Sequence, residues 1–261
     1  MRRLADRPLV NLIQVVDTVI RDGANLRAGS GPVGGLRDGY ISWVRDAEAS
    51  LSFHFDRHDV EEALLTPRYW EIRRLRSDDR EVRALVNQEA EALVAQIEEL
   101  RDYYKLLRNR FAEELRQVLV PDTNVFLHHT FFKEANWPQL ANNGPVRIVV
   151  PLLVLEQLDR LKYSANQKTG ERAKGVIGEL SRLLDERGGV PADIPKRGTI
   201  EVFIDEPGHV RMASEDAEIV EVAGQLTGLL SKPARLVTGD LGMRLRAGAL
   251  GVEVVALPDG W

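Results

Sequence analysis

Cysteine is absent from this 261-residue chain. Disulfides, thiolate zinc sites and cysteine nucleophiles are therefore all excluded. Histidine is scarce, at five residues. A metal site would have to be built mainly from carboxylates, the donors suited to Mg²⁺ and Mn²⁺. No apolar run approaches the roughly 18–20 residues of a membrane span. The stretch Leu9 to Ile20 is interrupted by Asn11, Gln14 and Asp17. That makes it a poor signal-peptide core, despite the Met1-Arg2-Arg3 start. The expected location is cytoplasmic, with no membrane partner. Aromatic residues make up only 6%, and positive charge is in deficit, with 35 Lys plus Arg against 40 Asp plus Glu and a net charge of −5. A globally basic nucleic-acid coat is excluded; a polyanion would need a local basic patch. What is present is 44% hydrophobic residues, enough for one large core or two small ones.

The chain falls into two parts with different periodicity. Over residues 1–117 the pattern is helical, which predicts an all-α domain. A first helix is expected over about 8–22, with Leu9, Leu12, Ile13, Val16, Val19 and Ile20 on one face. The stretch Gly29-Ser30-Gly31-Pro32-Val33-Gly34-Gly35 reads as a connection. It is no phosphate loop, because no Lys-Ser/Thr follows it and no strand precedes it. A second helix is expected from about Tyr40 to Phe55. Asp59 with Glu62 reads as a capping box for a third, and Ser77 or Asp78 as the cap of a long fourth. On that helix Leu93, Ile97, Leu100, Tyr104, Leu107 and Phe111 recur at steps of four and three. The seam calls for packing within the chain or against a second copy, a homodimer through the helical half. This half carries 19 basic and 21 acidic residues, and Arg73, Arg74 and Arg76 sit among acids as on a solvated helix face. Its expected role is self-association or substrate guidance.

Over 118–261 short apolar strands alternate with helices. Strands are expected at 117–120, 146–150, 199–204, 234–237 and 252–255, and helices near 151–163, 170–187, 214–230 and 241–248. The pattern predicts an α/β domain with a mostly parallel sheet of about five strands flanked by helices. In such sheets ligands collect beyond the carboxyl ends of the strands. Four acids fall there or on the helices that follow: Asp122, Glu156, Asp216 and Asp240. Each alone reads as a turn or cap residue. Together, with no basic partner adjacent in sequence, convergent carboxylates call for a hard divalent cation. Glu215 could face inward as readily as Asp216. His128 and His129 are adjacent on a helix, about 100° apart, and make no natural metal pair.

The segment 118–258 resembles the PIN domain, a metal-dependent nuclease fold. The matching pieces are Leu119-Val120-Pro121-Asp122-Thr123-Asn124, Val154-Leu155-Glu156-Gln157-Leu158-Asp159-Arg160-Leu161-Lys162, Asp216-Ala217-Glu218-Ile219 and Leu236-Val237-Thr238-Gly239-Asp240-Leu241. Gly170-Glu171-Arg172-Ala173 is similar to PIN domains of the PhoH-associated kind. The resemblance implies Asp122, Glu156, Asp216 and Asp240 as catalytic, metal-binding acids, with Asn124 and Thr238 as polar support. It implies Mg²⁺ or Mn²⁺ as cofactor and RNA as substrate. Residues 1–117 carry no such resemblance.

After Glu156 come Arg160, Lys162, Lys168, Arg172, Lys174 and Arg182 against Asp159, Glu171 and Glu179. This local positive excess makes Arg160, Lys162 and Arg172 candidate phosphate contacts. Three other readings compete with a ribonuclease: an aspartyl-phosphate hydrolase, disfavoured by Asn124 where a second Asp would stand; a catalytically silent scaffold or RNA-binding protein; and a toxin.

Overall fold

Up to Phe111 the described elements are helices, and strands enter only from Gln117 onward. The computed structural model describes residues 1, 4, 9–28, 33–76, 81–111, 113–184, 190–258 and 261. The predicted helix start at residue 8, the first part of the glycine-rich connection (29–32) and the caps Ser77 and Asp78 lie outside these. The chain divides into two compact units, Met1–Arg110 with Glu206–His209, and Phe111–Asp205 with Val210–Trp261.

In the first unit α1 spans Leu9–Ala28, α2 Val33–Leu51, α3 Arg57–Leu64, α4 Pro67–Arg74 and α5 Val82–Phe111. Several boundaries differ from expectation. α1 continues past its expected end at Asp22, as far as Ala28, because Gly23 serves packing rather than termination: a Cβ there would stand 2.5 Å from Trp43 Cζ2. Trp43 Nε1 donates to the Val19 carbonyl at 3.0 Å, fixing the indole against α1. The cap of α3 is Asp56, which accepts from the His58 and Asp59 amides, and Asp59 instead lies in the first turn. Thr66 and Pro67 open α4, an unexpected helix, with the Thr66 hydroxyl accepting from Tyr69 N at 3.1 Å. The seam residues Leu93, Ile97, Leu100, Tyr104, Leu107 and Phe111 are all buried. Each contributes about 1.5–3 kcal/mol before ordering entropy is subtracted. They are covered within the single chain, so the seam does not require a second copy.

The second unit is a mixed α/β fold built on a six-stranded sheet. Its strands are β1 (Gln117–Pro121), β2 (Val146–Pro151), β3 (Ala192–Ile194), β4 (Gly198–Phe203), β5 (Arg235–Val237) and β6 (Glu253–Val255), in the order β3-β4-β2-β1-β5-β6. All neighbours are parallel except β3 with β4. β3 is the strand the sequence pattern misses. It has three residues and returns through a tight turn in which Lys196 (φ 62°) and Gly198 (φ 118°) take left-handed conformations. A Cβ on Gly198 would lie 2.6 Å from the Val146 carbonyl oxygen. The helices are α6 (Thr123–His128), α7 (Leu152–Leu161), α8 (Gln167–Leu184), α9 (Glu215–Thr227) and α10 (Leu241–Ala249), with a 3₁₀ turn at Trp137–Ala141. Every residue of β2 is buried, as a central strand requires. The order of strands reverses between β1 and β5: β1 leads to β2 on one side, and β5 leads to β6 on the other. That is a topological switch point, and a crevice opens at its carboxyl end.

The opposite end of the sheet is closed by ion pairs. Arg147 on β2 bonds Glu201 on β4 and Glu114 at 2.7 Å each, and its guanidinium lies 4.3 Å from the Phe111 ring centroid. Arg116 grips Glu114 through Nε and Nη2 at 2.7 and 2.6 Å. Burial alone would push the Glu114 carboxyl up, but the bonds from Arg116 and Arg147 hold it at about 2. A depressed carboxyl adds stability above its unfolded value, near 4.3, and loses it as pH falls toward 2. Glu114→Gln should therefore cost about 3 kcal/mol at pH 7 and far less near pH 2. Denaturant unfolding of both proteins at the two pH values checks this; an equal loss at both would show that charge is not the cause.

Candidate active site

The crevice at the switch point is a cleft of about 380 Å³. From the β1 side it is lined by Asp122, Thr123 and Asn124, from α7 by Gln157 and Arg160, and from α9 by Glu215 and Asp216. Leu127, Leu161, Ile219 and Met243 supply its apolar floor.

Asp122 follows β1 directly and caps α6. Its Oδ1 accepts from Val125 N at 2.9 Å, and its Oδ2 accepts from the Thr238 hydroxyl at 2.5 Å. Asp122 is 2% exposed and Thr238 fully buried. The Asp122 amide donates to Val237 O at 3.1 Å, which extends the β1–β5 ladder one residue into the site. Asp240 repeats the arrangement after β5. It caps α10 by accepting from Met243 N at 2.8 Å, while its own amide donates to Thr238 Oγ1 at 3.0 Å. One threonine hydroxyl thus joins two capping aspartates. Burial pushes the Asp122 carboxyl up; bonds from Thr238, Val125 and Asn124 oppose this, the nearby Asp240 charge adds to it, and the balance is upward.

The remaining expected residues are distributed differently. Asp216 and Glu215, both in the first turn of α9, both line the cleft. Asn124 is exposed at the cleft, and Thr238 lies beneath Asp122. Glu156 does not face this cleft. It pairs with Arg211 at 2.8 Å and is not part of the cleft lining. Arg211 in turn holds Asp205 and the buried Glu218, each at 2.9 Å. The residue that enters the cleft from α7 is Gln157, which sequence reasoning passed over. The signal was available: Leu153, Val154, Leu158 and Leu161 define the inward face, and position 157 lies three or four residues from three of them, whereas 156 does so only from Leu153. Among the described residues, no three of Asp122, Glu156, Asp216 and Asp240 bring ligand oxygens within 4.8 Å of one another.

A chain of hydrogen bonds crosses the α7–α9 wall. The Thr123 hydroxyl donates to Gln157 Oε1, Gln157 Nε2 donates to Glu215 Oε2 at 2.8 Å, and Arg160 Nη2 donates to Glu215 Oε1 at 2.5 Å. Arg160, with Gln157, draws the Glu215 carboxyl below its ordinary value. Of the other two basic candidates, Lys162 pairs with Asp159 at 2.5 Å, outside the cleft lining. Arg172 spends its guanidinium on backbone, donating to Phe126 O at 2.9 Å and His129 O at 2.5 Å. Those bonds satisfy carbonyls at the end of α6. His129 stacks near Trp261 at 6.2 Å rather than toward the aspartates.

The sequence model of the PIN domain matches residues 119–257. No curated protein matches the chain at a significant level. Among solved structures, a domain of a functionally unknown protein from Methanocaldococcus jannaschii DSM 2661 is similar at 17% identity and a TM-score of 0.36, covering 56% of this chain and 94% of that one.

Because the raised Asp122 carboxyl binds its proton more tightly in the folded chain, stability is lost as pH rises through its folded pKa. At pH 7 the metal-free carboxylate is a burden. Asp122→Asn should therefore leave the metal-free melting temperature unchanged or higher. Mg²⁺ at a hundred times its dissociation constant should stabilise the unmodified chain by about 2.7 kcal/mol and the variant hardly at all. Melting curves with and without Mg²⁺ check both points. A large metal-free loss would make Asp122 a helix cap and nothing more.

Proposed function

The chain belongs to the PIN domain family over residues 119–257, and from this premise we propose that the Asp122 cleft is the active site of a divalent-metal-dependent ribonuclease acting on single-stranded RNA. PIN domains are a nuclease fold, often metal-dependent. The observation that carries the reading is a buried carboxylate at the switch point, raised by burial and by Asp240, beside an open cleft that Asp216 also lines.

The donor set fits Mg²⁺ or Mn²⁺: it is all oxygen, it is anionic, and Asp122 carries a charge that the protein itself does not neutralise. Asp122 and Asp216, which line the cleft, would hold the cation, and Asp240, outside the lining, would add its charge beside Asp122. When bound, a divalent ion lowers the pKa of an attacking water and offsets charge on the scissile phosphate. The chain's own groups do the rest. Thr238 fixes the orientation of Asp122 by its hydrogen bond. Asn124, exposed at the cleft, offers an amide donor to a phosphate oxygen. Arg160, with 62% of its side chain exposed, offers a guanidinium on the facing wall. RNA rather than DNA follows from the family resemblance alone. Glu156, held by Arg211, leaves the ligand set under this reading, and Lys162 and Arg172 leave the substrate set.

A catalytically silent RNA-binding or scaffold protein is the second reading. Gln157 favours it, since a neutral amide stands where an acid would strengthen the site. An assay separates the two. Cleavage of single-stranded RNA should require Mg²⁺ or Mn²⁺, stop in EDTA, and fall at least a hundredfold, on the order of a lost essential group, in Asp122→Asn. RNA binding without cleavage at any metal concentration would establish the silent role. Full activity in EDTA would remove the metal, and hydrolysis of small phosphate esters alone would point to a phosphatase.

A further inference from the structure

Where α7 ends, its winding tightens. Tyr163 N donates to Arg160 O at 3.3 Å and Ser164 N to Leu161 O at 3.0 Å, bonds that reach back three residues rather than four. In such a 3₁₀ turn residues three apart lie over one another, so Tyr163 follows Arg160 on the side of α7 that lines the cleft. The turn is fixed by what comes next. Ser164 Oγ accepts from Asn166 N and Asn166 Oδ1 from Thr169 N, each at 3.2 Å, which sets the start of α8. α8 presses close: a Cβ on Gly170 would stand 3.2 Å from the Lys162 carbonyl oxygen. Yet the ring carried by this hydrogen-bonded turn is 83% exposed. Among the described residues of the second unit, Tyr163 is the only exposed aromatic. The Lys162 ammonium, paired with Asp159, lies 5.9 Å from the ring centroid.

We infer that Tyr163 is a stacking platform for one unpaired nucleobase of the strand that enters the cleft, and so a residue that positions single-stranded RNA. The inference rests on the nuclease reading for the nature of the ligand, and on the turn for the placement of the ring. A flat π-face at the end of the cleft wall offers any base a partner, because every base has a π-face of its own. The base must first be splayed away from its pairing partner, as it is in a single strand. A duplex keeps its bases inside and has no such face to offer. A preference for single strands thereby has a physical cause at a named side chain. The backbone of the turn is already ordered, so little is lost in fixing the platform when the base arrives. The exposed ring packs on little, and its removal should cost the fold little.

The full-length chain carrying Asp122→Asn, which the nuclease reading makes inactive, is mixed in Mg²⁺ with a short single-stranded RNA. One base is 2-aminopurine, whose fluorescence falls on stacking, placed at each position in turn. At one position the fluorescence should fall on binding. Adding Tyr163→Ala should abolish that fall and raise the Kd about tenfold, on the scale of one base–aromatic stack. Tyr163→Phe, which keeps the ring, should restore both. In the active chain Tyr163→Ala should raise KM by a similar factor and leave kcat unchanged, since the ring touches no reacting atom. An unchanged Kd, or a fall in fluorescence that persists without the ring, would overturn the inference and leave the nuclease reading standing. No RNA binding by any of these chains would overturn both. Stacking that depends on Tyr163, with no cleavage by the unmodified chain, would keep the platform and replace the nuclease reading by the silent one.

Discussion

The hydroxyl of Thr238 is the joint on which this end of the sheet depends. β1 and β5 are parallel neighbours, and each is followed at once by a helix. Each helix opens on an aspartate that satisfies amides its own first turn leaves free. Thr238 donates to one aspartate and accepts from the backbone of the other, so both caps are held in fixed register. Asp122 could not stay buried without such donors, because an unsatisfied carboxylate inside a sheet end costs several kcal/mol. The same donors that make burial tolerable stop short of neutralising it. What remains is a carboxylate fixed in place and short of positive charge.

The two ends of the strands show opposite electrostatic logic. At the amino ends Arg147 and Arg116 meet Glu114 and Glu201 in close ion pairs. At the carboxyl ends acids outnumber their partners, and Arg160 on the cleft wall bonds Glu215 through one nitrogen. Paired charge gives a rigid floor; unpaired charge gives a place for a ligand. Glu156 belongs to the first kind. With Asp205 and Glu218 it surrounds Arg211 and so ties α7 to α9.

Much of this was readable from residues alone, and the failures share a cause. Alternating apolar strands and helices placed five strands correctly, and aspartates after β1 and β5 were found because turn chemistry is local. β3 escaped because three residues carry no period, and its strand character comes from pairing with β4. α4 escaped because its start depends on Thr66 and Pro67 rather than on an apolar face, only Tyr69 and Ile72 being buried. At the site, Glu156 was favoured for being an acid, whereas the helix turns Gln157 inward for reasons of phase. Residue type suggested one neighbour, and geometry selected the other. Arg172 carries the same lesson: charge suggested substrate, and position assigned it to the α6 carbonyls.

The sheet's margins have a further consequence. Both outermost strands, β3 and β6, are only three residues long. β3 is bracketed by Pro191 and Pro195, and β6 opens on Glu253, which is tied sideways to Arg235 at 3.0 Å. A strand this short offers an incoming chain too few free amides and carbonyls to template a ladder, and the flanking prolines offer no amide at all. The apolar central strands are thereby walled off from other molecules while the sheet is intact. Resistance to edge-to-edge aggregation is built into the same parallel sheet that presents the cleft.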